Sequence, residues 1–172
     1  ILRTPINAIA QKIIINKKEY NVIPENFATM SDIYRILSII SSKQDYTDTS
    51  DKRAKTKRYS MERLSRVFGF DYSEEKIKTL IKLSEKIMSV HLEQISCKIE
   101  KHIIGKFKNT KEIKIIGMGV GSKLIEIISK KNKWKYIGFD NYFNLTNSSS
   151  NYTPSDIAPA SSLCIQIKDI HE

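Results

Sequence analysis

At 172 residues with a formal charge of +10, the chain has room for one well-buried domain carrying a helical subdomain, and not for two full domains. No apolar run approaches the roughly 20 residues that span a bilayer and no signal peptide is present, which excludes a membrane-spanning helix and leads to a soluble, cytoplasmic protein as the expectation. Cys97 and Cys164 form no Cys-x-x-Cys pair, which argues against a disulfide framework or a zinc site and leaves both expected as buried thiols.

The chain opens at Ile1, and "ILRTPINAIA" reads as the interior of a longer polypeptide. "KIIINKKEYNVIP", Lys12 to Pro24, places two β-branched runs around a polar turn, the pattern of a hairpin. Thr29 and Asp32 make a capping pattern before Ile33, Ile36, Leu37 and Ile40, whose spacing predicts a helix from Met30 to Ile40. Ser41 to Tyr59 lacks periodicity and reads as a loop; Ser60 is then the predicted N-cap of a short helix through Val67, ended by Gly69. From Ser73 apolar residues recur at three- and four-residue steps until Gly105, predicting a long helix. A strand at 113–116, a turn at 117–121, a helix at 122–131 and a strand at 134–139 follow, then a polar loop to Ser155 and a last helix from Asp156 to Ile167.

The positive charge is scattered in short Lys-rich pieces, and only Asp51 to Arg66 is dense, without a zinc or aromatic RNA-binding signature. A solvated basic face is the simplest reading; a small anionic ligand is an alternative, and nucleic acid a weaker one. The sequons at Asn144, Asn147 and Asn151 are accidents of a Ser/Asn-rich loop in a cytoplasmic protein. His91, His102 and His171 lack metal-ligand spacing and receive no role.

"IIGMGVGSKLIEII" brings three alternate glycines, Gly117, Gly119 and Gly121, between an apolar run and a helix. Strand, glycine turn and helix make an anion site, because free N–H groups point toward phosphate or carboxylate. Asp140 follows Gly121 by 19 residues, the spacing of a ribose-binding acid in a dinucleotide fold. Against that fold stand the Gly-x-Gly-x-Gly pattern and the 32 residues that follow Asp140, too few for the remaining strands. Tight strand-to-helix packing and an anion-binding turn of another α/β fold are the readings left open, and Asp140 itself is expected to cap the following loop.

Five stretches together resemble one family: "LRTPINAIAQ", "ENFATMSDIYRIL", "YTDTSDKRAK…SMERLSR", "IIGMGVGSKLI" and "DIAPASSLCI". They are similar, in order and spacing, to the C-terminal half of the hydantoinase/oxoprolinase-related proteins of tetrahydromethanopterin-linked one-carbon metabolism. The resemblance implies an α/β fold, the C-terminal lobe of a two-lobed actin/sugar-kinase/Hsp70-like (ribonuclease H-like) architecture, with a helical insertion at about 60–105 and an N-terminal lobe outside this sequence. Archaeal members act in methanofuran biosynthesis, condensing an aminomethyl-furanylmethyl diphosphate with γ-glutamyltyramine and releasing diphosphate. An ATP-dependent kinase or amidohydrolase of the same superfamily, and a non-catalytic module using the long helix as an oligomer interface, are the alternatives. Family members carry Asp-Gly where this chain has Asp51-Lys52, which predicts a different loop path.

That chemistry implies Mg²⁺, with ATP an open question, and positive groups around the diphosphate. On this resemblance Gly117, Gly119, Gly121 and Ser122 bind diphosphate, Arg3, Arg35 and Lys55 are cationic partners on the cleft, and Asp32 and Asp51 are the metal or base carboxylates. The residues also have plain readings: Asp32 as the capping partner of Thr29, Arg35 as its i+3 ion pair, Arg3-Thr4-Pro5 as a strand entry and Lys55 as an exposed loop lysine.

Overall fold

A computed structural model describes residues 1–40, 45–106, 113–143 and 153–163. The chain divides into two compact units, Ile1–Cys97 and Lys98–Glu172, with the boundary inside the longest helix. Among the described residues, no helix is long and apolar enough to cross a membrane.

In the first unit, β1 (Lys12–Ile15) and β2 (Lys18–Asn21) pair antiparallel, with Ile15 opposite Lys18. The register leaves a two-residue loop, Asn16-Lys17, at φ 50° and 65°. Both lie in the left-handed region, the primed turn whose twist matches that of the strands. Val22 N–H bonds to the Gln11 carbonyl and Ile23 N–H to that of Val67, tying the hairpin to the helix layer.

Helix α1 (Met30–Ile36) is shorter than its apolar period predicts. Ser38 takes φ 58°, the Ile39 N–H reaches back to the Tyr34 carbonyl and the Ser38 N–H to that of Arg35. This pair of bonds stops a helix while Ile39 and Ile40 keep its apolar phase. Helix α2 (Lys57–Val67) starts before the predicted Ser60: Thr56 is its N-cap and accepts from Tyr59 N–H. Its first turn, Lys57-Arg58-Tyr59, carries no apolar residue at core phase, so periodicity could not find it. Gly69, at φ 71°, ends α2 as expected, with Phe70 N–H on the Ser65 carbonyl. Helix α3 (Ile77–Lys106) follows a 3₁₀ turn and buries Leu80, Leu83, Ile87 and Leu92. Cys97, expected buried, is exposed, because its position on α3 faces away from that stripe; Cys164 lies outside the described residues.

The second unit holds a β-α-β element. Strands β3 (Lys114–Gly117) and β4 (Lys135–Gly138) are parallel, Gly117 beside Gly138, and α4 (Ser122–Asn132) connects them, burying Leu124 and Ile128. Lys133, at φ 57°, closes α4. The last predicted helix is seen as a turn at 154–157 and a helical stretch at 158–163; its remainder and the three sequons lie outside the described residues.

Candidate functional site

Thr29 and Asp32 close α1 with a reciprocal capping box, the Asp32 Oδ2 taking the Thr29 N–H at 3.1 Å. The other N-terminal donors of the helix are also occupied: Met30 N–H bonds to the Thr4 carbonyl and Ser31 N–H to that of Leu2. The segment leading to Pro5 is thus stitched onto the helix start, where Pro5 bridges Thr29. No donor at this end remains for an anion.

Asp32 does more than cap. On α2, Ser60 and Arg63 share the buried face with Leu64 and Val67, because they stand one helical turn apart. Asp32 Oδ1 accepts from Ser60 Oγ at 2.8 Å, from Arg63 Nε at 2.9 Å and from Arg35 Nη1 at 3.3 Å. Arg35 continues to Asp45, and Arg63 to Asp51 Oδ1 at 2.9 Å. Beyond them Arg53 bonds to Asp51 Oδ2 at 2.9 Å and to Glu62 at 2.7 Å, and Arg58 closes on Glu62. The result is an alternating row, Asp45, Arg35, Asp32, Arg63, Asp51, Arg53, Glu62, Arg58, that runs from the core to the surface. At the core end Arg63 is 0% and Asp32 2% exposed. Buried charges persist only when paired this way, since either partner alone would lose its hydration without replacement.

The row fixes protonation as well as geometry. For Asp51, burial raises the pKa, but hydrogen bonds from Arg53 and the charge and hydrogen bond of Arg63 outweigh it and hold the carboxyl at about 2. Asp45 is likewise held below the ordinary carboxylate range: burial opposes, while two hydrogen bonds from Thr47 and the charges of Arg35 and Lys55 prevail. The two aspartates are the ends of a loop, 45–51, so the row clamps that loop at both ends. Lys52, just beyond, takes φ 58°. That left-handed backbone is one a glycine favours.

Two neighbouring clefts flank the clamped loop. One, of about 360 Å³, is lined by Arg3, Asn26, Thr29, Tyr46, Thr47 and Asp48. The other, of about 470 Å³, is lined by Asp48 to Ser50 and by Lys52, Arg53, Ala54 and Lys55. Arg3 is exposed at the first and has no ion pair among the described residues. Lys55 lines the second and donates its ammonium to the Asp45 carbonyl. Asp32, Arg35 and Asp51 come together, but in the ionic row rather than on a cleft wall. Neither acid suits Mg²⁺: each carboxylate is already taken by guanidinium groups and N–H or O–H donors. Among the described residues no group of three or more His, Cys, Asp or Glu side chains is placed to hold a metal ion.

In the second unit the glycine turn has its own steric reasons. A Cβ on Gly117 would stand 2.5 Å from the Tyr136 hydroxyl, whose ring lies against the turn. Gly119 takes φ 67°, and its N–H is shared by the carbonyl and hydroxyl of Ser155, at 2.9 and 3.0 Å. Asp140 accepts the Ser155 N–H at 2.7 Å, the loop-capping role expected of it. Gly121 is the N-cap of α4 and Ser122 its first residue, with no side-chain cap on that end.

No family model matches the chain. Curated relatives do. Over 119 residues, 69% of this chain and 35% of the relative, it is 35% identical to the (4-{4-[2-(γ-L-glutamylamino)ethyl]phenoxymethyl}furan-2-yl)methanamine synthase of Methanocaldococcus jannaschii. A protein of the same name from Methanococcus vannielii is 28% identical over 142 residues, 79% of this chain and 61% of that relative. The chain belongs to the family of these synthases. It spans 35% and 61% of the lengths of the two relatives.

The sequence points to Asp32, Arg35, Asp51 and Lys55 as candidates, but not to the residues that join the first three. Arg63 read as an ordinary residue of a basic helix, Ser60 as the N-cap of that helix, and Asp45 as part of a loop. The available signal was phase: Arg63 sits between Met61 and Leu64 on the face that carries the core. His91, given no role, hydrogen-bonds the buried Tyr34 hydroxyl at 2.6 Å and so links α3 to α1. Burial pushes the pKa of that tyrosine upward.

Proposed function

We propose that the chain is the C-terminal part of an enzyme of methanofuran biosynthesis, which joins an aminomethyl-furanylmethyl diphosphate to γ-glutamyltyramine. The observation that carries this reading is the 35% identity to a synthase whose name gives a product with a phenoxymethyl-furan link. Such a link is an aryl ether. Its phenolic C–O–CH₂ bond forms as the bond from the same carbon to diphosphate breaks; diphosphate leaves with the electron pair and the phenol loses its proton.

The chemistry asks for cations around the leaving group and for exclusion of water from the reacting carbon. In this reading Arg3 holds one side of the diphosphate site, and Lys52 and Lys55 the other. Asp32, Arg35, Arg63 and Asp51 are positioning residues that set the 45–55 loop. Since Asp32 and Asp51 are committed to arginines, no step is routed through Mg²⁺. Of the glycine turn, the Gly121 N–H and the Ser122 hydroxyl are what this reading assigns to an anion, because the Ser122 N–H is bonded to the Gly119 carbonyl and the Gly119 N–H to Ser155. The β-α-β element is taken as part of an actin/sugar-kinase/Hsp70-like lobe.

The test is diphosphate release by the intact polypeptide. Release should require the furan diphosphate and γ-glutamyltyramine together, with the ether found by mass spectrometry. Turnover of ATP without that pair would instead place the protein among kinases. Arg3→Ala should raise KM for the diphosphate donor by about tenfold, the loss expected for one charge-assisted contact of ~1.4 kcal/mol; an unchanged KM would remove Arg3 from the site.

A further inference from the structure

We propose that the Asp48 carboxylate is the subsite for the ammonium group of a dipolar donor, an aminomethyl-heteroaryl methyl diphosphate. The inference rests on the functional reading above and adds to it a residue that selects the donor. Asp48 lines both clefts on the clamped loop. Every other acid of that neighbourhood has an arginine on it: Asp32, Asp45, Asp51 and Glu62 all lie in the ionic row. Asp48 alone among them has neither hydrogen bond nor ion pair among the described residues, and it is exposed.

Arg3 stands in the same cleft with no ion pair of its own. A cation and an anion thus line one cleft of about 360 Å³ without an ion pair between them. Left to relax, opposite charges on flexible side chains would close on each other. Here each is placed by backbone that other bonds hold. Leu2 and Thr4 carbonyls fix the chain on both sides of Arg3, and the Asp45 and Asp51 anchors fix the loop on both sides of Asp48. Such a cleft is complementary to a ligand that carries both charges at its two ends. The product named for the relatives is a methanamine, so its donor would carry a primary ammonium at one end and diphosphate at the other. Arg3 meets the diphosphate and Asp48 the ammonium; the furan ring spans them. A carboxylate facing the amine also disfavours donors without it, since its hydration would be lost with no cation in return.

The experiment compares two donors on the intact enzyme: the aminomethyl-furanylmethyl diphosphate and the analogue with methyl in place of aminomethyl. Binding of each is measured by calorimetry without the acceptor, and ether formation is followed separately with γ-glutamyltyramine. The wild type should bind the amine donor about tenfold more tightly than the methyl donor, and Asp48→Asn should bring that ratio to about one, with Asp48→Glu restoring part of it. An equal ratio in wild type and Asp48→Asn overturns the assignment, whether or not ether is formed. If the preference and its loss are seen but neither donor yields ether, the subsite stands and the proposed reaction falls.

Discussion

At the scale of single residues, Arg63 matters most. Its guanidinium is buried and divides its donors between Asp32 on α1 and Asp51 on the loop, so no other side chain can take its place without stranding an acid. Removing one member of a buried pair costs about 3–5 kcal/mol, because the remaining charge is left without water or partner. Arg63→Met should lose stability on that scale in urea titration. Arg63→Lys should recover little of it, since a single ammonium cannot serve two carboxylates in forked geometry. Asp51 gives a prediction in pH. Its folded pKa of about 2 lies below the ordinary value of 3.8, so its contribution is complete above that value and is lost as pH falls toward 2. Asp51→Asn should therefore be less stable than wild type at pH 6. The difference should shrink between pH 4 and pH 2 when midpoints of denaturation are compared.

At the scale of elements, turns decided where sequence and structure parted. Glycine at Gly69 marked the end of α2 and was legible. The ends of α1 and α4 use Ser38 and Lys133 in the same left-handed backbone, and the hairpin and the 51–53 loop use Asn16, Lys17 and Lys52. Outside the hairpin's polar turn, these positions carry no visible turn signal in a lysine-rich chain, so the long apolar period of 30–40 hid the stop at Ile36. The hairpin, the long α3 and the β-α-β element were legible, because periodicity over many residues does not depend on any one of them. A non-glycine residue with left-handed backbone costs about 1 kcal/mol, and glycine returns only part through greater unfolded-chain freedom. Lys17→Gly should stabilise the protein by about 0.5 kcal/mol, read as a rise in the midpoint of thermal unfolding. A fall would mean that the Lys17 side chain contributes more than its backbone costs.

At the scale of the whole molecule, the formal charge of +10 becomes less diffuse than composition implies. Five arginines of the α1–α2 region, Arg35, Arg53, Arg58, Arg63 and Arg66, are spent on acids, and the cations left to face a ligand in the described clefts are few. The acids and arginines of the row were each present in the sequence, but their pairing joins residues up to 31 positions apart, which no local pattern encodes. Recognition of an anionic donor should then depend on salt mildly. Exposed Arg3 and Lys52 are screened within a Debye length of about 10 Å at 0.1 M ionic strength, whereas the row is sheltered. Raising sodium chloride should increase KM for the donor while leaving the unfolding midpoint nearly fixed; parallel loss of both would contradict that division. The backbone stitching at the start of α1 has a further consequence. Arg3 is held in place by the carbonyls of its two neighbours, not by its own side chain. Folding is therefore largely indifferent to what occupies position 3. On the proposed reading of the cleft, it is a place where descendants of this chain can change donor preference by one substitution, with little penalty in foldedness to slow the drift.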